Sequence, residues 1–98
     1  MSNYNFVLIN QTTNMDENLM DGYEFYAVDC SAGNITLTLP TITYNGVYYR
    51  IHRTDSSNNT LTVAAQNGQT IREVQSLTLA PNRQAHIVSY GTDWLYPL

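Results

Sequence analysis

Lysine is absent from this chain of 98 residues, and the eight Asp and Glu against four Arg leave a formal net charge of -4. Such a chain has no basic footprint for holding a phosphate backbone or an anionic bilayer, so neither nucleic acid nor a membrane is an expected partner. Charged residues of both signs make up only 12%, about half of the roughly 25% usual in soluble chains, so the surface should be mainly uncharged and polar. Cysteine occurs once, at Cys30. That excludes an internal disulfide framework and predicts a small buried hydrophobe, the alternative being an intermolecular or reactive thiol. No stretch approaches the 18 or so apolar residues of a membrane span, and the opening "MSNYNFVLIN" lacks the basic segment of a secretory leader. A soluble protein made in a reducing compartment is the expectation.

Helical periodicity is equally scarce, and alternation of period two takes its place almost everywhere. In "NITLTLP" Ile35, Leu37 and Leu39 share one face, Thr36 and Thr38 the other, and Pro40 ends the ladder because it has no N–H to donate. In "GVYYRIHR" Val47, Tyr49 and Ile51 are predicted to face inward and Tyr48, Arg50 and His52 outward; in "TLTVAA" Leu61, Val63 and Ala65 face inward. Short polar residues in "TDSSNN" predict a hairpin loop, the Asn-Gly pairs at 45–46 and 67–68 predict type I′ hairpins, and "APNR" predicts a type I turn with Pro81 at its second position. "QTTNMDENLMDG", residues 11–22, breaks the alternation and predicts an acidic loop in which Asn14 caps one helical turn.

These patterns predict an all-β fold: a compact antiparallel sandwich or barrel-like domain of about eight short strands near 4–9, 23–29, 34–39, 47–54, 60–66, 75–79, 84–90 and 93–97. Residues 1–98 form one domain, with an N-terminal strand and acidic loop over 1–22 and the main β module over 23–98. At this size folding buries only about 60–65% of the unfolded surface, which makes oligomerisation an economical source of stability.

Catalytic chemistry finds little support. His52, Asp55, Ser56, His86 and Ser89 supply the types for a nucleophile–base–acid set, but no G-x-S-x-G elbow precedes a helix and both histidines fall on predicted strands. One Cys and two His give no compact zinc spacing, although copies of His52 or His86 around a threefold axis offer a ligand set between chains. Asp16, Glu17 and Asp21 lack the spacing of an EF-hand. A glycosidase-like pair would have to come from Asp29, Asp55, Glu73 and Asp93. No enzyme activity, cofactor or metal is therefore expected.

Aromatics are more informative. Eight tyrosines stand against two phenylalanines and one tryptophan, a skew toward rings with a polar tip that suit half-wet contact positions. Tyr26, Tyr44, Tyr48, Arg50, His52 and Tyr96 are the candidate contacts to another subunit or to a ligand. Trp94, four residues from the last, is expected to close its own subunit's core, with Tyr96 on the same face of the final strand and Leu95 on the other.

In order, "VDCSAGNITLTLP", "YYRIHRTDSSNNTLTVAAQNGQTI", "LTL" and "AHIVSYGTDWLYPL" resemble a module of viral and bacteriophage fibre, tail and baseplate-associated proteins. The resemblance spans about residues 23–96 and implies a small β module, often a homotrimer at the end of a virion fibre, assembled in the host cytoplasm and serving assembly or host attachment. It implies no catalytic residue, and it gives Leu39, Pro40, Asp55, Ser56, Asn59, Gly68, Gly91 and Trp94 structural roles. The chain departs from the pattern where Arg50, His52 and Arg53 replace lysines and where "REVQS" replaces an Asp-Gly turn. Independently, low charge, many tyrosines and strand faces that are apolar or Thr-rich on both sides favour burial of a second face against copies of the chain. The expected function is thus that of a homotrimeric virion tip. A carbohydrate-binding module using Tyr, Trp, Asn and Asp at strand ends is the alternative, and a glycan or host-surface receptor is the expected partner in either case.

Overall fold

The computed structural model describes residues 5–15, 23–43 and 45–95, without the side chains of residues 5, 6, 23 and 24. All eight expected strands are present, and two short ones join them. The strands are β1 (Asn5–Ile9), β2 (Thr13–Asn14), β3 (Tyr23–Val28), β4 (Ile35–Thr38), β5 (Tyr48–Arg53), β6 (Leu61–Ala64), β7 (Thr70–Ile71), β8 (Ser76–Leu79), β9 (Gln84–Tyr90) and β10 (Asp93–Leu95). No helix occurs among the described residues, and Asn14, expected to cap a helical turn, is the second residue of β2. The acidic stretch 16–22, Tyr44 and Tyr96 lie outside the described residues.

The strands form a six-stranded sheet in the order β1-β3-β5-β9-β10-β7 and a four-stranded sheet in the order β2-β4-β6-β8. From β1 to β9 each strand lies in the opposite sheet from its predecessor. A chain that changes sheet at every turn re-enters the first sheet running the same way, so its neighbours there are parallel. Accordingly β1, β3 and β5 are parallel, with Val7 beside Tyr26 and Tyr26 beside Ile51. In the other sheet β2, β4 and β6 are parallel, with Ile35 beside Leu61. The expected antiparallel arrangement is corrected to a coil of parallel passes, closed by β8 running against β6 and β9 against β5.

The turns change meaning with it. Residues 54–60 carry the chain from β5 in one sheet to β6 in the other, so "TDSSNN" is an arch and not a hairpin loop. Asn67 and Gly68 do have the paired positive φ of a type I′ turn, 57° and 76°, closed by Gln69 N–H donating to Gln66 O at 3.1 Å. They nevertheless lead from β6 to β7 across the sheets. At 45–46 only Gly46 has positive φ, 89°, so that pair is not type I′. Asn82 at φ 59° makes Ala80–Arg83 type II, because its third position is left-handed. Gly91 at φ 67° turns the one direct hairpin between consecutive numbered strands, β9 to β10.

Inward residues of both sheets form one core, including Tyr26, Val28, Tyr49, Ile51 and Ile87 from the larger sheet and Ile35, Leu37, Leu61 and Val63 from the smaller. Cys30 is buried within it, and burial raises its thiol pKa above the ordinary value. Trp94 is 1% exposed and packs 5.6 Å from the Tyr49 ring. The radius of gyration, 12.6 Å, matches that of a compact globule of about this length.

Candidate interaction face

Strand alternation sends Tyr49, Ile51 and Arg53 of β5 to the core and Tyr48, Arg50 and His52 to the outer side of the six-stranded sheet. Register then assembles three rows across that side. Tyr48 lies beside Val88, which lies beside Leu95. Phe25 lies beside Arg50, and Arg50 beside His86. Ala27 lies beside His52, and His52 beside Gln84, with Leu8 next to Ala27. Three of the expected contact residues, Tyr48, Arg50 and His52, therefore share one face.

Tyr26 does not. It is 2% exposed and meets the Tyr49 ring edge-on at 5.9 Å, so its expected role as a contact residue is corrected to a core role. Its neighbour Phe25 takes the outer position. The polar tip of tyrosine argued for an outside place, but the parity of β3 sends 26 and 28 inward together.

The outer face is held by aromatic and charge-assisted contacts. The Arg50 guanidinium carbon sits 5.1 Å from the Phe25 ring centre, and Arg50 Nε donates to Gln84 Oε1 at 3.1 Å. His52 lies 6.3 Å from Phe25, centre to centre. Tyr48 Oη and His86 Nδ1 share a hydrogen bond of 2.9 Å, while His86 Nε2 is shielded from solvent without a partner. Burial, and secondarily the Arg50 charge, lower the His86 pKa, which favours the neutral ring at pH 7. Arg50 is then the one permanent cation of this face among the described residues.

On the core side the same strand ends in an ion pair that sequence reasoning missed. Arg53 donates through Nε to Asp55 Oδ1 at 3.0 Å and through Nη2 to Oδ2 at 3.1 Å. Nη1 donates to Leu79 O, and Nη2 also reaches Ser57 O and Asn59 O. Asp55 also accepts from the Cys30 and Ser57 N–H groups, and Asn59 Nδ2 donates to Cys30 O at 2.7 Å. The arch after β5 is thus fastened to the arch after β3 and to the end of β8. The signal was available: inward parity through 47, 49 and 51 continues to 53, and a carboxylate follows two residues later. Hydrogen bonds, chiefly from Arg53, hold the Asp55 carboxyl far below its usual range.

The other candidates are dispersed. His52 and Arg53 point to opposite sides of the sheet, so the Arg53-bound Asp55 cannot orient His52. Ser56 Oγ accepts from Asn82, and Ser89 is buried, its Oγ accepting from the Val47 N–H. Asp29 Oδ1 accepts from Ser31 N–H. Glu73 and Asp93 line a shallow cleft of about 260 Å³ with Arg72 and Leu95, where Asp93 Oδ1 accepts from Thr70 Oγ1 and from the Glu73 N–H. A second cleft, about 340 Å³, lies among Leu8, Asn10, Ala27, Asp29 and Thr54. No group of three metal-ligating side chains occurs among the described residues.

Structural positions are more coherent. Leu39 is buried and donates its N–H to Ala64 O, and Pro40 follows beyond the ladder. Gly91 N–H donates to Asn45 Oδ1, tying the β9–β10 hairpin to the turn before β5. Comparison with protein-family models and with curated proteins found no match.

Proposed function

We propose that this chain is a non-catalytic assembly and attachment module that works as a homotrimer, of the kind found at virion fibre or tail tips. The observation that carries assembly is the row Tyr48, Val88 and Leu95, in register across the outer face of the six-stranded sheet. Leu95 is 39% exposed at its end. A row of this kind, in a surface with few charges, gains free energy when copies cover it. The virion setting rests on the resemblance of residues 23–96 and on nothing in the fold. Light scattering on the purified chain is the test: a trimer mass at micromolar concentration is expected, and Leu95→Asp is expected to lower it. A stable monomer sinks the assembly reading.

Carbohydrate recognition is the second reading, and the adjacent row favours it. Phe25, Arg50 and His86 set aromatic rings around a cation beside the apolar row, so ligand and subunit contacts fit side by side.

A further inference from the structure

Arg50 is held more firmly than a surface arginine needs to be. Its guanidinium lies against the Phe25 ring from β3, and its Nε is bonded to Gln84 from β9, so both neighbouring strands fix the plane. Among the described residues no hydrogen bond reaches either terminal amino group. Among the described residues no carboxylate pairs with it either. A planar guanidinium that is stacked, clamped at Nε and open at both Nη groups is preorganised to grip an oxyanion with two parallel N–H···O bonds.

We propose that Arg50 is a carboxylate-binding fork for an acidic sugar, with Tyr48 and His52 as its flanking walls. Tyr48 and His52 stand two residues to either side of Arg50 on the same face of β5, about 7 Å away along the strand. That spacing suits one pyranose ring, whose CH edges meet the aromatic walls and whose hydroxyls meet the exposed Gln84 amide. An acidic peptide fits less well. Extended peptides bind by adding to a sheet edge, and β5 is interior, between β3 and β9. A long polyanion is opposed by the net charge of -4. The inference rests on the recognition reading; it shares Tyr48 with the row that carries the trimer, and separate readouts of binding and of mass distinguish the two.

The test is a titration of the 15N-labelled chain with sodium glucuronate, the methyl ester of glucuronic acid, glucose, and an Asp-Glu dipeptide. Saturable shifts at Arg50 Nε–H and around residues 48–52 and 84–88 are expected with glucuronate. Binding of the ester and glucose is expected to be weaker by about tenfold or more, the usual effect of losing a charge-assisted pair. Arg50→Gln should weaken glucuronate binding by a similar factor, and Arg50→Lys, which keeps the charge without the fork, should fall between. The His86 ring should titrate at higher pH when glucuronate is bound, because the carboxylate offsets the Arg50 charge. Absence of a saturable shift overturns the proposal, as does equal binding of the ester. Equal binding of the dipeptide overturns the sugar assignment and gives the face to an acidic protein. A monomer that binds glucuronate keeps this inference and removes the trimer; a trimer that does not bind it does the reverse.

Discussion

Arg53 and Asp55, two residues apart, form a doubly hydrogen-bonded ion pair whose side chains are only 2% and 6% exposed. Together they satisfy carbonyls at Leu79, Ser57 and Asn59 and N–H groups at Cys30 and Ser57.

Removing one partner leaves the other charge buried without compensation, a change that costs about 3–5 kcal/mol. Asp55→Ala and Arg53→Met should each lose that much in urea denaturation. The double variant should lose less than the sum of the two, since neither charge is then stranded. Additive losses in that cycle would show that the pair does not act as a unit.

The same pair sets an acid limit. The folded-state pKa of Asp55 is depressed below its unfolded value, so its contribution is fully present above about pH 4 and declines as pH falls below that range. Wild type should therefore lose stability from about pH 4 downward. Asp55→Asn, less stable at pH 7, should show a flatter acid limb, and parallel limbs for the two proteins would refute the assignment.

Arg72 and Glu73 occupy consecutive positive φ values, 46° and 73°, in a two-residue turn closed by reciprocal bonds between Ile71 and Val74. Side chains with a Cβ are penalised in that region by roughly 1–2 kcal/mol per residue, whereas glycine is not. Glu73→Gly should therefore stabilise the protein by about 0.5–1 kcal/mol after glycine's own entropic cost. A loss of stability in thermal or chemical unfolding would mean that the Glu73 side chain contributes more than its backbone strain costs.

β10 lies between β9 and β7 in the larger sheet, and its Trp94 carbonyl accepts the Arg72 N–H at 2.9 Å. Deleting residues 94–98 removes an interior strand and the ring packed on Tyr49, so the truncated chain should be unfolded by circular dichroism. Trp94→Ala alone should cost about 3–5 kcal/mol. A truncated chain that stays folded and oligomeric would show that this end is dispensable.

Faces were legible in the sequence; partners were not. Alternation correctly sorted Ile35, Leu37 and Leu39, and separated Tyr49 and Ile51 from Tyr48, Arg50 and His52, because period two is a property of a single strand. Pairing direction depends on where the chain goes next, and the Asn-Gly, Pro-Asn and Ser-rich turns that serve hairpins also serve arches between sheets. The short strands β2 and β7 hold two residues each, too few for any alternation to register. Arg53 was hidden by its charge, since solvation usually outweighs parity unless a partner such as Asp55 is waiting inside. The outer site was half visible: β5 supplied Tyr48, Arg50 and His52, while Phe25 and His86 joined them only through register with β3 and β9.

The parallel coil has a direction. At one end β9 and β8 run against β5 and β6 and reverse the ladder, so no further pass of the same sense can stack there without displacing them. At the other end β1 and β2 occupy the margins of their sheets and run the same way as every pass behind them. Lengthening by duplication of a pass is therefore geometrically one-sided. Copies would add before β1, where they extend the rows of Arg50 and His52, which β1 reaches at Phe6 and Leu8, by one residue each, and they leave the Arg53 fastening untouched.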